Sequence, residues 1–229
     1  MVHWREDEPL EGETAWKCLA DGYSKTKWVA EQLVLEAQRQ RLPVSVLRPG
    51  NMAGSAATGA QNQKDFVFLF LQGCLTLGFV PDVDMGEAYF FDLTAVDFAA
   101  KAAVHVAVNH PGRAFGKRMH LQNPATPIAL SAITKELRAL GHALEAATRA
   151  DWLAKLRAAA AAERKERAGP TPLQDLDAGF ESFEGYFVAS GRERFGCENL
   201  LAALEGSGLE CPTVGAALLG RWFPAPAEA

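Results

Sequence analysis

The apolar positions of the chain form helical and strand-like patterns that alternate along the sequence. Residues 22–40 carry a broad apolar stripe at helical spacing, and Pro43 closes this predicted helix. The short run Val44–Leu47 is largely apolar and β-branched, which is typical of a strand buried in a parallel sheet. Similar runs further along predict helices at 65–77 and 96–108 and strands at 88–92 and 118–121.

Capping signals predict where several helices begin. A Thr-x-x-Asp pattern at 94–97 is expected to form a capping box for the helix at 96–108. Ser131 is expected to cap a helix that runs to Leu140. A second Thr-x-x-Asp pattern at 148–151 is expected to open an alanine-rich helix over 152–168.

The remaining segments predict loops and short helices. The chain begins with a polar run rather than a buried strand, and residues 6–20 are expected to form a loop that leads into the first helix. Residues 50–62 predict a long loop of small side chains that allows close approach to a ligand. From residue 173 onward the pattern indicates small helices and turns without a clear strand.

Composition narrows the class of protein. The 229 residues are 48% hydrophobic, which is ample for a core, and the net charge of −5 argues against a partner made of nucleic acid. No run of 18 apolar residues is present and charged residues follow Met1, so we expect neither a membrane span nor a signal peptide, and a cytoplasmic location. The five histidines lack the spacing of metal ligands, so no metal site is predicted.

Tyr23 and Lys27 are the strongest candidates for chemistry. They stand four residues apart in the predicted helix 22–40, so they share one face of it. A cation close to a phenol favours the ionised form of the phenol, and this makes a tyrosine a usable general acid near neutral pH. The pair alone is a weak signal, because this spacing occurs by chance in many helices.

The sequence around this pair resembles the extended short-chain dehydrogenases/reductases. Within that superfamily it looks like the thioester reductase branch, which comprises the terminal reductases of carboxylic acid reductases, aminoadipate reductases and some nonribosomal peptide and polyketide synthases. The similarity covers nearly the whole chain from Gly22 to Phe223. The segments that carry it are residues 22–31, 46–54, 58–65, 78–82, 91–98, 120–124, 151–152, 199–204 and 211–212.

The resemblance implies a catalytic role for the pair. Tyr23 is expected to protonate a carbonyl oxygen while NADPH delivers hydride to the carbon. Lys27 is expected to hydrogen-bond the nicotinamide ribose and to favour the ionised form of the phenol. Both residues therefore count as catalytic and as cofactor-binding.

The resemblance also assigns the segment after the strand at 44–47. In the family this segment lies along the nicotinamide and the substrate, which agrees with ligand binding at the carboxyl ends of parallel strands. The expected cofactor contacts are Pro49, Gly50, Asn51 and Met52. The expected substrate-side residues are Gly54, Thr58 and Asp65, of which Asp65 is also expected to cap the helix that follows it.

Two features of the family have no counterpart in this sequence. The chain lacks the glycine-rich turn that binds NADP(H), and it lacks the catalytic Ser or Thr that precedes the tyrosine helix. About five strands with their crossovers, roughly 120–150 residues at about 30 per βαβ unit, are expected before Tyr23. The sequence therefore indicates the C-terminal part of a reductase, whether as a shortened sequence, as one part of a split gene or as a degenerate relative.

These arguments predict an α/β fold. We expect an incomplete Rossmann-type, doubly wound domain that lacks its N-terminal strands, together with a small and mainly helical C-terminal substrate domain. Residues 1–147 are assigned to the cofactor-binding domain with interleaved substrate-side segments, and residues 148–229 to the helical region on the substrate and carrier side.

The resemblance implies reduction of an acyl or peptidyl thioester on the phosphopantetheine arm of a carrier protein. The product is expected to be an aldehyde, and some relatives continue to the alcohol. The isolated 229 residues are expected to be inactive, because the missing N-terminal Rossmann half is a required partner. Two alternatives remain open: another extended short-chain reductase, such as a fatty acyl-CoA reductase, and an inactive remnant that acts only as a binding module.

Overall fold

Helices and short, mainly parallel strands alternate along the chain, so the fold is α/β. The computed structural model describes residues 2–8, 19, 21–82, 89–109, 111–166, 169–190 and 193–226. The helices are α1 (Gly22–Arg39), α2 (Phe66–Leu77), α3 (Val96–Val108), α4 (Pro111–Ala114), α5 (Leu130–Ala139), α6 (Arg149–Glu166), α7 (Pro172–Ser190), α8 (Glu198–Leu204) and α9 (Ala216–Trp222). The strands are β1 (Val2–Trp4), β2 (Val46–Pro49), β3 (Met52–Ala53), β4 (Phe79–Asp82), β5 (Phe90–Phe91), β6 (Thr94–Ala95), β7 (Arg118–Leu121), β8 (Ile128–Ala129), β9 (Glu145–Thr148) and β10 (Glu193–Phe195).

The strands pair across long stretches of sequence. Within the described residues, four pairs are parallel, namely β1 with β10, β2 with β7, β3 with β6 and β4 with β9, whereas β5 and β8 are antiparallel. In the β2–β7 pair, Val46 lies opposite Arg118 and Pro49 opposite Leu121. The carboxyl ends of β2 and β7 therefore meet at one edge, where the predicted cofactor segment begins.

An aromatic core joins α2, α6 and α7. Phe70 of α2 is fully buried, and its ring lies 5.4 Å from Trp152 of α6 and 6.0 Å from Phe180 of α7, measured between ring centroids. Phe187 of α7 also contacts Phe91 of β5 at 4.8 Å. Burial of such rings supplies much of the stabilisation of a domain this size. Residues of both predicted regions, 1–147 and 148–229, share this core.

The two ends of the chain differ from the predictions. The polar N-terminal run was expected to form no strand, but Val2–Trp4 forms β1 against Glu193–Phe195. The last third was expected to contain small helices and no strand, but it contains β10 and the 19-residue helix α7. The partners of β1 lie about 190 residues away, so no local pattern could predict this pair.

Of the two Thr-x-x-Asp patterns, one opens a helix as predicted and the other does not cap its helix. At the start of α6, the Asp151 N–H donates to Thr148 Oγ1 at 3.1 Å, and the Thr148 hydroxyl donates to the Asp151 carboxylate at 2.8 Å. At the start of α3 the N-cap is Ala95 and forms no side-chain cap. Thr94 instead accepts from the Asn123 N–H, and Asp97 accepts from a distant loop, because long-range partners compete with the local cap.

Other boundaries shift by a few residues. The predicted cap Ser131 lies inside α5, whose N-cap is Ala129, so that prediction is wrong. The loop at 50–62 contains the short strand β3, because Met52–Ala53 pairs with β6. Parts of three predictions lie outside the described residues: most of the loop at 6–20, the first residue of the strand at 88–92, and the last two residues of the helix at 152–168.

The strand β2 and the helix α1 leave apolar surface uncovered. Among the described residues, β2 pairs with β7 alone, and three of its four residues are only partly buried. On α1, Val29 is 41% exposed and Leu33 is 68% exposed, and Leu35 is the helix residue that reaches full burial. Because adjacent large apolar side chains exposed on a protein surface often mark a contact, this surface is suited to a further contact.

Candidate active site

The first turn of α1 is fixed by its own cap. The Ser24 N–H donates to Asp21 Oδ1 at 2.8 Å, and the Ser24 hydroxyl donates to Asp21 Oδ2 at 2.8 Å. A capping carboxylate of this kind stabilises a helix by about 1 kcal/mol. The cap therefore sets the direction of the turn that carries Tyr23.

Tyr23 and Lys27 lie together at this end of α1. The Lys27 ammonium stands 5.2 Å from the centroid of the Tyr23 ring, over its face. The Tyr23 side chain is 73% exposed, so its hydroxyl is accessible to a ligand. A cation over an exposed phenol ring contributes about 0.5–1 kcal/mol and keeps the two groups close. The geometry places a proton donor and a cation side by side, and their catalytic role remains a prediction.

The segment Pro49–Met52 turns away from β2 at the carboxyl end of the strand. The Gly50 N–H donates to the Leu121 carbonyl at 3.3 Å, and the Asn51 carbonyl accepts from the Thr94 N–H at 2.9 Å. A side chain at Gly50 would overlap the carboxylate of Asp92 and would lie 2.8 Å from Cβ of Gln122. Close packing therefore requires glycine here. Pro49 and Asn51 are exposed on the outer side of the turn, so a ligand can reach them.

Asp92, which sequence reasoning did not single out, lies directly behind this turn. Burial raises the pKa of its carboxyl from 3.8 to about 7, and the Asn51 N–H, which donates to the carboxylate, acts in the opposite direction. Asp92 also lines a cavity of about 330 Å³ together with Asn123, Thr126 and Thr213. A buried carboxyl whose pKa is raised towards neutrality is a candidate for function.

The predicted substrate-side residues occupy three different environments. Gly54 is buried, and a side chain there would lie 2.5 Å from the indole ring of Trp222. Thr58 is exposed, and its N–H donates to Ser55 Oγ at 3.1 Å. Asp65 is the N-cap of α2, as expected: its Oδ1 accepts the N–H groups of residues 67 and 68 at 2.9 and 3.1 Å.

Asp65 and Met52 border a small gap under this loop. The gap has a volume of about 20 Å³, which is enough for about one water molecule. Burial raises the pKa of Asp65, and the two capping N–H groups lower it. With its carboxylate engaged by the helix, Asp65 acts first as a cap.

A buried polar cluster ties α1, β2, β7 and α8 to the N-terminal segment. The Arg48 guanidinium forms a bidentate pair with Glu31 at 2.6 and 3.0 Å and donates to the Glu6 carbonyl at 3.2 Å. The Glu6 carboxylate accepts N–H groups from His120 at 2.8 Å, from Leu200 at 3.3 Å and from residue 199. Burial raises the pKa of Glu6, and the three N–H groups lower it.

The described part of the chain offers neither a metal centre nor a membrane-spanning helix. No group of three His, Cys, Asp or Glu side chains there is arranged to hold a metal ion. Over the same ranges, none of the helices combines the length and the apolar character that crossing a bilayer requires.

A family model described as "Male sterility protein", from an NAD-binding family, matches residues 6–103. Glycine betaine reductase of Emericella nidulans is 37% identical over 151 residues, which is 66% of this chain and 11% of that protein. Isonitrile lipopeptide synthase of Streptomyces coeruleorubidus is 32% identical over 202 residues, or 88% of this chain and 13% of that protein. The chain therefore spans only a small share of the curated relatives it matches.

Two solved structures share the fold. The terminal R domain from the myxalamid PKS-NRPS biosynthetic pathway matches 98% of this chain and 53% of its own length, with a TM-score of 0.80 and 34% identity. A thiolation-reductase di-domain from an archaeal non-ribosomal peptide synthetase matches 96% of this chain with a TM-score of 0.61, and its 18% identity supports likeness of fold alone. All the predicted site residues lie inside the stretch that the family model covers.

Proposed function

We propose that this chain, which belongs to the reductase branch of the extended short-chain dehydrogenases/reductases, is part of an NADPH-dependent thioester reductase. Its substrate would be an acyl or peptidyl thioester on a carrier protein, and its first product an aldehyde. The observation that carries the proposal is the exposed Tyr23–Lys27 pair at the start of α1. The pair occurs in a chain whose fold matches that of the myxalamid terminal R domain over 98% of the present chain.

The donor set at α1 fits a nicotinamide cofactor and a carbonyl substrate. Tyr23 offers a phenolic O–H, and Lys27 offers three N–H donors and a positive charge within 5.2 Å of the ring. A ribose presents hydroxyl acceptors and a thioester presents a carbonyl acceptor, so each donor has a matching group. The exposed turn at Pro49–Asn51 would lie against the nicotinamide, as the family resemblance implies.

The chemistry assigned to the chain's own residues is proton transfer and charge stabilisation. When bound, NADPH supplies hydride to the carbonyl carbon. The Tyr23 hydroxyl donates its proton to the carbonyl oxygen as negative charge develops there, and Lys27 stabilises the phenolate that remains. The resulting thiohemiacetal then loses the thiol of the carrier arm by breaking its C–S bond, which gives the aldehyde.

We assign cofactor phosphate binding to a Rossmann half outside this chain. The half-buried strand β2, with β7 as its partner among the described residues, and the exposed side chains of Val29 and Leu33 support this assignment. In this proposal residues 1–147 complete an interrupted doubly wound domain, and residues 148–229 form the mainly helical substrate and carrier side. The isolated chain would then be inactive.

A carrier protein is the proposed macromolecular partner. The similar myxalamid protein is a terminal domain of a PKS-NRPS pathway, and the similar Streptomyces protein is a lipopeptide synthase. Assembly lines of this kind hold their acyl chains as thioesters. A phosphopantetheine arm would bring the thioester to the exposed Tyr23 hydroxyl.

A chimera tests this function. The present chain would replace the matching half of the myxalamid terminal R domain, and NADPH absorbance would be followed with a carrier-bound acyl thioester. We expect NADPH oxidation by the chimera, and neither NADPH binding nor turnover by the 229-residue chain alone. Reduction of acyl-CoA in preference to the carrier thioester would favour a fatty acyl-CoA reductase. A folded chimera that binds NADPH and carrier protein without turnover would reveal a binding module.

A further inference from the structure

The loop at residues 54–61, called here the substrate-side loop, has a fixed internal conformation. The Ser55 N–H donates to the Ala60 carbonyl at 2.9 Å, and the Gly59 N–H donates to the Ser55 carbonyl at 2.9 Å. The Ser55 hydroxyl oxygen accepts the N–H groups of Ala57 and Thr58 at 3.2 and 3.1 Å. The loop is therefore a compact, hydrogen-bonded turn.

One side of this loop rests on Asp97 in the first turn of α3. The carboxylate accepts the N–H of Ala56 at 2.9 Å and the N–H of Ala57 at 3.1 Å, and the Ser55 hydroxyl donates to it at 3.3 Å. Although partial burial acts to raise it, these hydrogen bonds hold the pKa of Asp97 below its ordinary value. The backbone donors of the loop are thus held by a charge from α3.

The backbone acceptors of the same loop are held from the opposite side by α9. The Arg221 guanidinium donates to the carbonyls of Ala56 and Ala57 at 2.7 and 2.9 Å. The Trp222 indole N–H donates to the Ser55 carbonyl at 3.2 Å, and the Gln61 side chain donates to the Trp222 carbonyl at 2.6 Å. The two residues Ala56 and Ala57 are therefore held between a carboxylate and a guanidinium more than 120 residues apart in sequence.

Close packing reinforces these hydrogen bonds. A side chain at Gly59, whose φ of +77° already favours glycine, would overlap the Arg221 carbonyl. On α9 itself, a side chain at Gly220 would lie 3.4 Å from the side chain of Leu140, the C-cap of α5. Further along, the Phe223 ring stacks on Phe68 at 5.9 Å. The loop therefore packs tightly against α9 at Gly59.

We propose that Arg221 and Trp222 are positioning residues, which hold the substrate-side loop in the conformation that receives the thioester substrate. The substrate role of the loop rests on the proposed function, whereas the contact of α9 with the loop does not. Hydrogen bonds from a charged donor contribute more than neutral ones. Loss of Arg221 would therefore release the loop without unfolding α9, because the Arg221 side chain is exposed.

Hydrogen exchange of the 229-residue chain tests the contact. We expect Arg221→Ala to speed the exchange of the Ala57 and Thr58 amides by about tenfold, which corresponds to the loss of about 1.4 kcal/mol. Arg221→Lys should restore part of the protection, because a lysine can still reach one carbonyl. Arg157→Ala is the matched control, since Arg157 is also exposed and pairs with Glu181 on α7. Unchanged exchange in Arg221→Ala would overturn the proposal.

Kinetics of the active chimera test the link to substrate. We expect Arg221→Ala and Trp222→Phe to raise KM for the thioester several-fold while NADPH affinity and kcat stay close to the parent values. Trp222→Phe removes the indole N–H and keeps an aromatic ring in the core, so it also guards against a folding defect. If exchange accelerates but KM is unchanged, the loop does not position substrate and the proposal is wrong. If the parent chimera itself fails to reduce thioesters, the proposed function is lost while the exchange result still stands.

Discussion

Replacing Asp92 by asparagine should change how the stability of the protein depends on pH. Asp92 lies behind the Gly50 turn, and burial raises its pKa from 3.8 to about 7. Asparagine has the same shape as the protonated acid and retains an oxygen to accept the Asn51 N–H. The substitution therefore removes the titration while it keeps the packing against Gly50.

The direction in which stability changes with pH follows from the linkage between proton binding and folding. Between the ordinary pKa and the raised one, the unfolded state binds fewer protons at Asp92 than the native state, so stability falls as pH rises. The difference between 3.8 and about 7 corresponds to about 4 kcal/mol at about 1.4 kcal/mol for each unit of pKa. About 2–3 kcal/mol of this stability is lost between pH 5 and pH 8, where the unfolded carboxyl is ionised and the native one is losing its proton. The rest is lost below pH 5, where the unfolded carboxyl ionises.

Urea unfolding of the purified chain at several pH values measures this effect. The parent should lose stability from pH 5 to pH 8, and Asp92→Asn should show a flatter profile and the higher stability of the two above pH 7. Asp82→Asn serves as the control, because Asp82 is an exposed carboxyl at the end of β4. Its profile should run parallel to that of the parent.

The opposite outcome would refute the reasoning. If Asp92→Asn lowers stability equally at all pH values, the carboxylate is stabilised as an anion and burial does not dominate its pKa. A parent profile that is flat between pH 5 and pH 8 would lead to the same conclusion. Because Asp92 lines the 330 Å³ cavity, such a result would also favour a bound cation or donor facing it.

Three further substitutions address the proposed catalytic pair and the buried polar cluster around Glu6. In the active chimera, Tyr23→Phe should lower turnover by about 10²–10⁴-fold with cofactor binding nearly intact, and near-normal turnover would remove Tyr23 from the mechanism. Lys27→Ala should lower both turnover and NADPH affinity. The control Lys101→Ala, on the exposed face of α3, should change neither. An unchanged NADPH titration in Lys27→Ala would count against the ribose contact. Glu6→Gln should lower the free energy of unfolding by about 1–3 kcal/mol, because the amide keeps only one of the two oxygens that accept the three buried N–H groups, and its NH2 cannot accept the N–H of residue 199. Glu210→Gln in an exposed loop is its control, and equal urea midpoints for the two variants would show that the Glu6 contacts are dispensable.

Sequence patterns predicted the features of the site that depend on contacts between residues close together in the sequence. The helix α1 begins at Gly22 as expected, and its cap and the Tyr23–Lys27 contact involve residues within a few positions of one another. The same holds for the Asp65 cap of α2 and for the Thr148–Asp151 box of α6. Each of these elements needs only i+2 to i+4 neighbours, which sequence patterns report directly.

Long-range contacts determined the features that sequence patterns did not predict. Thr94 and Asp97 have the spacing of a capping box, yet their oxygens accept hydrogen bonds from Asn123 and from the loop at 55–57. The N-terminal run becomes a strand because β10 supplies its partner. Nothing near Arg221 in sequence indicates its contact with Ala56, which lies 165 positions earlier.

The difference between features held by local contacts and features held by long-range contacts predicts how the site responds to mutation. Tyr23, the proposed proton donor, lies at a helix start that the Asp21 cap stabilises, so it should keep its geometry when distant elements are altered. The conformation of the substrate-side loop depends on contacts with both α3 and α9, so substitutions in these distant elements should alter the loop. Substitutions in α9 should therefore act on substrate affinity, and substitutions in the first turn of α1 on turnover. If the proposed roles hold, substitutions in the C-terminal elements would change the substrate while the geometry of the Tyr23–Lys27 pair is preserved.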